Sequence, residues 1–411
     1  MLEPRNVAQN AAYPPHSPSK EINACAVNGL NQLRRADWSV QGRQSFYTLD
    51  AMRAIAATAI VVLHSRLLFD AQWAPNAYLA VDLFFLLSGF ILAHVYDGRG
   101  MTTRQFITLR AIRLYPLYAL GLFFAIIQAA AVLGLGHSRA TGIEDIISSA
   151  LNAAFLPSPF PSTYGGYFSD LFPLNGASWS LFFEVLINIA FCTAVFKRSS
   201  VMKAIVIGSA FILITSALEN GNLDTGGQWN RFLDGFARVG YSFTVGVLIR
   251  RARFSAPPWL KRIGPWPLLT ILVGVWITPI SANWRGAYDL TFVLLISPAV
   301  VWAGTQVQPQ LYFRPLFSTL GGASYGIYAM HLPLMFATAF LGLKILHVPG
   351  WFLGTGFVIC MMLFAVWLDR VYDKPIRRTL ANWAGPKLGM SVSAQQKYIE
   401  AIIRRDRARI Q

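Results

Sequence analysis

The sequence predicts an all-α, polytopic membrane protein, a bundle of about ten transmembrane helices with both termini on the cytoplasmic side. Three observations carry this. Of 411 residues, 55% are hydrophobic and only 13% are charged, about half the charge of a soluble domain. Mean hydropathy is +0.45. Apolar runs close to the ~20 residues that cross a bilayer recur along the chain, with basic residues clustered between alternate runs.

Residues 1–45 are polar and broken by Pro14, Pro15 and Pro18. No apolar core precedes a small-residue cleavage site there, so they read as a disordered cytoplasmic tail and not as a signal peptide. Residues 46–380 hold the bundle. The expected spans are 49–69, 79–97, 113–134, 178–196, 201–218, 236–250, 266–282, 287–303, 323–343 and 350–370, the sixth being short. The stretch 135–177 contains LPSPFPSTYGGYFSDLFPLNG. It is too long for a turn, and its Pro, Gly and aromatic content predicts an ordered cap or re-entrant segment that shapes an acceptor site. Residues 381–411 form a basic cytoplasmic tail whose end, KYIEAIIRRDRARIQ, is amphipathic and suits an anionic leaflet as well as solvent. With the N-terminus inside, only Arg66, Arg139, Arg231, Arg238, Arg285 and Lys344 of the 35 Lys and Arg fall outside. No internal repeat is visible, which argues against a transporter of duplicated halves.

The net charge of +16 is spread over short loops and forms no stripe with interleaved aromatics, so no nucleic-acid partner is expected. Cys25, Cys192 and Cys360 are scattered. They make neither a disulfide framework nor a metal site, and no metal is expected. GASWS is not GxSxG, and no P-loop, GxGxxG or HExxH is present.

Ionisable side chains inside apolar runs are costly and mark functional candidates. LDAMRAIAATAIVVLHSR carries Arg53 and His64 eleven residues apart. Eleven steps of about 100° fall some 20° past three turns, so the two share a face, roughly 16 Å apart along the axis. Alone, Arg53 reads as a snorkelling anchor and His64 as a hydrogen-bonded structural imidazole; together they point to one cavity. In YLAVDLFFLLSGFILAHVY, Asp82 either caps the helix or holds the His64 imidazole in one tautomer, and Ser88-Gly89 suggests close helix packing. Arg110 and Arg113 in RQFITLRAIRLYPLY are neighbours on one helical face. Side by side they suit a phosphate or pyrophosphate. In GASWSLFFEVLIN, Glu184 needs a partner, and Trp179 and Ser180 lie at the outer end. In GGASYGIYAMHLPLMF, Tyr325, Tyr328 and His331 could contact a donor or shape the cavity, and Pro333 frees a backbone carbonyl.

These blocks in this order resemble the integral-membrane acyltransferase-3 family. Arg53 and His64 match its R-x10-H spacing, LAVDLFFLLSGFIL its GVDLFFVLSGF block, and FITLRAIRLYPLY its RxxR followed by an aromatic-Pro pair. SWSLFFEVLIN and ASYGIYAMHLP are similar to WSLxxE and SYxxYLxHxP, so the resemblance covers about residues 46–370. The chain departs from the pattern after Glu184: Val185 stands where a second acid is usual, and Asn188 where a Tyr is usual. Ala80 replaces a glycine.

The resemblance implies a multi-pass protein of the bacterial inner membrane. It implies transfer of an acyl group, commonly acetyl, from cytoplasmic acyl-CoA to a hydroxyl of an envelope or exported carbohydrate or a lipid-linked equivalent, with no permanently bound cofactor. In the expected mechanism Arg110 and Arg113 hold the CoA phosphates, with Tyr325 and His331 also on the donor. Trp179 and Ser180 bind acceptor. His64 deprotonates the acceptor hydroxyl or is transiently acylated. Asp82 or Glu184 orients its imidazole, and Arg53 stabilises donor charge or tunes His64. The rival reading is a non-enzymatic transporter or flippase for a lipid-linked saccharide, which also needs buried polar residues and a cavity.

Overall fold

The computed structural model describes residues 45–97, 101–134, 143–160, 169–252, 255 and 257–389. Among them every regular element is helical. The N-terminal tail and the amphipathic end of the chain lie outside the described residues, as does part of 135–177. The principal helices are α1 Tyr47–His64, α2 Ala80–Tyr96, α3 Thr103–Gly134, α4 Ile143–Ala153, α5 Ser178–Phe191, α6 Ser199–Asn220, α7 Phe232–Ala252, α8 Trp266–Ile277, α9 Ala282–Gln306, α10 Arg314–Ala339, α11 Gly350–Leu368 and α12 Lys374–Lys387.

Among the described residues, eight helical stretches are long and apolar enough to cross a membrane, and α5 and α8 are shorter apolar helices. Together these ten match the expected spans one for one. Helix is what apolar sequence must form in lipid, where each backbone N–H and C=O needs an internal partner. The sixth span is not short: α7 runs 21 residues. Asp234 and Arg238 interrupt its hydropathy but are satisfied inside the bundle. The third begins at Thr103, ten residues before the expected 113. It is started by a reciprocal capping box in which Thr102 Oγ1 accepts from the Gln105 N–H and Gln105 Oε1 accepts from the Thr102 N–H.

The helices alternate in direction. At one end, here the basic end, α1 starts and α2 and α7 finish, with Arg250 Nε donating to His94 and Arg251 paired to Asp97. At the opposite end α1 finishes and α2 and α7 start. α1 packs along α10, and α2 along α7. The second contact is close because Gly89 faces the Phe243 carbonyl and Gly246 the Leu86 carbonyl with no room for a Cβ. That is the packing role expected of Ser88-Gly89.

The described part of 135–177 folds back against α3. The Tyr115 and Tyr118 hydroxyls of α3 donate to the Ala153 and Asn152 carbonyls, capping the C-terminus of α4 far below the top of α3. The returning chain leads to α5, which therefore starts at mid-depth and needs only 14 residues. Asn175 closes the arrangement: its Nδ2 donates at 2.9 Å to the Ala329 carbonyl, the acceptor that Pro333 releases four residues on. A π-turn at Asp369–Asp373 links α11 to α12 just before Pro375, relieving the clash of the proline ring with the preceding turn. α12 continues past residue 380 with Ala381 and Ala384 buried.

Candidate functional site

A cavity of about 270 Å³ lies in the basic-end half of the bundle. It begins between Arg53 of α1, Arg110 and Arg113 of α3, and Lys374 and Arg377 of α12. It ends against Ser180 of α5, Phe84 of α2, and Tyr325 and Tyr328 of α10. Its wall holds five cations but only two carboxylates, Glu184 and Asp369. Asp50 and Asp373 stand behind the cations. Arg53 Nη1 donates to Asp50 Oδ1 at 2.9 Å. Arg110 Nη2 donates to Glu184 Oε1 at 3.0 Å, and Ser88 Oγ donates to the same oxygen at 2.7 Å. Arg113 and Arg377 share Asp373 Oδ2 at 3.3 and 2.9 Å, and Lys374 Nζ lies 2.8 Å from Asp369. Arg113 also sits 5.8 Å from the Tyr325 ring centre. Arg110 and Arg113 thus share the cavity as expected, but each is aimed by a different carboxylate. Such a cationic, partly enclosed cavity attracts a polyanion.

His64 and His331 meet across α1 and α10. Their rings lie edge to edge and nearly parallel, 13° apart with centroids 5.0 Å apart, and His64 Nδ1 lies 2.8 Å from His331 Nε2. His331 Nδ1 lies 2.7 Å from the Tyr328 carbonyl, which can only accept. In the neutral pair these contacts fix both tautomers. His331 donates from Nδ1 to the carbonyl, its Nε2 accepts from His64 Nδ1–H, and His64 Nε2 carries the lone pair. A carbonyl thus orients one imidazole, which orients the other, the task a carboxylate performs in many general-base sites.

Neither expected carboxylate does this. Asp82 forms a two-point ion pair with Arg238, Nε–Oδ1 3.2 Å and Nη2–Oδ2 2.7 Å, with both side chains wholly buried. Arg238 also donates to the Thr225 and Tyr78 carbonyls at 2.8 and 2.9 Å. Glu184 is held by Arg110 and Ser88. The reason is the distribution of partners: an acid in lipid goes to a cation when one is in reach, and the sequence supplies Arg238 for Asp82 and Arg110 for Glu184. Trp179 is likewise spoken for, its ring lying 5.3 Å from the Arg238 guanidinium. Ser180 Oγ is 2.5 Å from the Tyr328 hydroxyl, which donates to the Ala177 carbonyl at 2.9 Å.

Of the expected residues, Arg53, Arg110, Arg113, Ser180, Glu184 and Tyr325 line the cavity, while His64, Asp82, Trp179 and His331 do not. Arg53 and His64 share a helical face, but Tyr328 stands between the cavity and the histidines, its ring 5.8 Å from His331 and 5.9 Å from Phe84. Sequence reasoning missed Lys374 and Arg377. Their signal was the run DRVYDKPIRR, in which Asp369, Asp373 and Arg377 recur every four residues on one helical face.

A family model described as an acyltransferase domain matches residues 46–370. The chain is 37% identical over 196 residues to protein 2 in the picA locus of Rhizobium radiobacter, covering 43% of this chain and 96% of that protein. It is 30% identical over 134 residues to the exopolysaccharide production protein ExoZ of Rhizobium meliloti, 33% of this chain and 39% of ExoZ. It is 24% identical over 317 residues to a Staphylococcus aureus protein provisionally named an O-acetyltransferase, 70% of this chain and 50% of that protein. No solved structure matches.

Proposed function

Because the chain belongs to the acyltransferase-3 family, we propose that it carries an acetyl group from cytoplasmic acetyl-CoA, or another acyl-CoA, to a hydroxyl of an envelope or exported carbohydrate at the bacterial inner membrane. The observation that carries this reading is the cavity with five cations from three helices, which suits the phosphates of a CoA donor. Arg110 and Arg113 would hold those phosphates together with Arg53, Lys374 and Arg377. The pantetheine arm would extend along Tyr325 toward Tyr328, beyond which His64 lies. The ExoZ relative, a protein of exopolysaccharide production, supports a polysaccharide acceptor.

In the step itself, His64 Nε2 takes the proton of the acceptor hydroxyl as that oxygen attacks the thioester carbon. The carbon–sulfur bond breaks, and the thiolate leaves as CoA after receiving a proton. The neutral tautomer chain through His331 favours this general-base route. Tyr328 must turn, or pass the slender arm beside its ring, for the thioester to reach His64.

The test is acetyl transfer by purified His64→Ala, which should lose about 10²–10⁴-fold in kcat while keeping its melting temperature in detergent and its affinity for CoA. Undiminished transfer would overturn the assignment. A transporter would move a lipid-linked sugar and leave labelled acetyl-CoA untouched.

A further inference from the structure

His64 closes α1 at the end of the bundle opposite the cationic cavity. It is half-buried, whereas His331 is wholly enclosed, and none of its open surface belongs to that cavity. The donor comes to the pair from the basic end, which leaves the opposite end for the acceptor. Two residues on, Arg66 is exposed, and its guanidinium has no hydrogen bond or ion pair among the described residues. Arg66 acts electrostatically on both His64 and Asp224, so the three share one neighbourhood.

Asp224 sits in the connection between α6 and α7, which is tied down on either side of it. The Leu223 N–H donates to Asp289 Oδ2 at 2.8 Å, and the Thr225 carbonyl accepts from Arg238 Nη1 at 2.8 Å. Gly226 (φ 104°) lies against Gly235 and the Trp179 ring, where a Cβ would come within 2.9 Å of each. Only glycine fits that space and that backbone conformation. Trp179, expected to bind acceptor, supports this loop instead. The Asp224 carboxylate itself has no hydrogen bond or ion pair among the described residues. It is exposed, yet the protein around it pushes its carboxyl up from the ordinary carboxylate range, while Arg238, Arg285 and Arg66 pull it back. Open surface with dense protein around it describes the floor of a recess.

A carboxylate placed by three ties but tied to nothing itself is arranged for a ligand. Its two oxygens can accept from the two hydroxyls of a vicinal diol, with the strength of hydrogen bonds to a charged group. We propose that Asp224 and Arg66 position the acceptor: Asp224 accepts from a vicinal diol of a sugar arriving from the opposite end, Arg66 donates to a neighbouring oxygen, and a further hydroxyl is thereby set toward His64 Nε2. This rests on the acyl-transfer reading above and adds to it the side of entry, the recognising residues and the feature recognised. Donor and acceptor then reach the histidine pair from opposite ends, with Tyr328 on the donor side. A lipid phosphate would suit Arg66 and Arg285 but not the carboxylate among them.

The test uses the full chain in nanodiscs, with the methyl glycosides of glucose, galactose and mannose as probes. A water-soluble carbodiimide with glycine ethyl ester should modify Asp224. At least one glycoside at high concentration should block most of that modification, while Asp70, exposed at the same end, stays equally reactive. Tetrahydropyran-2-methanol, the same ring without a diol, should not protect. Transfer of labelled acetyl to the protecting glycoside supplies the second readout. Asp224→Ala and Arg66→Ala should each raise KM for the glycoside about tenfold or more, as loss of a hydrogen bond to a charged group does, with KM for acetyl-CoA and the melting temperature unchanged. Asp224→Asn, which keeps one acceptor oxygen, should recover part of the loss. An unreactive Asp224, no protection by any glycoside, equal protection by the diol-free ring, or an Asp224→Ala variant with normal KM for the glycoside overturns the proposal. If Asp224→Ala melts lower, protection in the unmodified protein still decides. If a glycoside protects Asp224 but none is acetylated, the reaction reading fails and the saccharide site stands.

Discussion

The two ends of the bundle handle buried charge in opposite ways. At the opposite end Asp82 and Arg238 are both wholly buried, and Arg238 makes four hydrogen bonds, all to protein. Nearby, Tyr78 donates to Asp289 at 2.7 Å and the Leu223 N–H donates to the same oxygen at 2.8 Å. At the basic end Arg110 and Arg113 each make a single-point ion pair beside open space, and cations outnumber carboxylates in the wall. One set of charges is used up by the protein. The other is held in place beside open space. A charge in an apolar helix is therefore ambiguous until its surroundings are known: a group enclosed by protein on every side clamps helices together, while one that lines a cavity can also meet a ligand.

The sharpest way to break this distinction is at the clamp. Asp82→Ala leaves Arg238 buried without its counter-ion, which costs about 3–5 kcal/mol. The variant should melt far lower in detergent and lose activity only as it unfolds. Asp82→Ala combined with Arg238→Leu should recover much of the stability, because burying neither charge is close to neutral. Were Asp82→Ala to melt normally yet lose kcat, Asp82 would belong to the chemistry after all.

The histidine pair lies between the two regimes and should respond as function without structure. His331→Phe removes the acceptor that fixes the His64 tautomer, so kcat should fall by about 10²-fold with KM for acetyl-CoA unchanged. His331→Gln, whose carboxamide oxygen can still accept from His64 Nδ1, should restore part of the rate. Equal losses in both variants would mean that His331 only fills space.

Local signals carried the fold, and partner choice lay beyond them. Span number followed from hydropathy because lipid forces each apolar run into a helix, and the shared face of Arg53 and His64 followed from helical pitch. Pairing between helices has no such rule. Asp82 is separated from Arg238 by 156 residues and His64 from His331 by 267, so sequence reading fell back on carboxylates to support His64. His331 was singled out but attached to the donor. Tyr328 reads from the sequence as a donor contact, yet its part in walling off the histidines depends on the depth at which α10 meets α1. The start of α5 at residue 178 was legible, but its mid-depth position was hidden because the segment before it fills the space above, and hydropathy does not register who occupies the other half of a span.

The smallest expected effect is at the basic end. Lys374 and Arg377 reach the cavity only because the Asp369–Asp373 π-turn and Pro375 set α12 across it. Asp369 and Asp373 hold both side chains in place. Neither is near His64, so each should contribute to donor binding and not to the bond-breaking step. Lys374→Ala or Arg377→Ala should raise KM for acetyl-CoA about tenfold, in line with ~1.5–3 kcal/mol for a hydrogen bond to a charged group after screening at the half-open mouth. kcat should hold. Because phosphate attraction at the mouth is screened by salt, the unmodified enzyme should lose donor affinity as ionic strength rises, and the double variant should lose less. A KM that ignores both substitutions and salt would make α12 a structural strap and leave the donor to Arg53, Arg110 and Arg113.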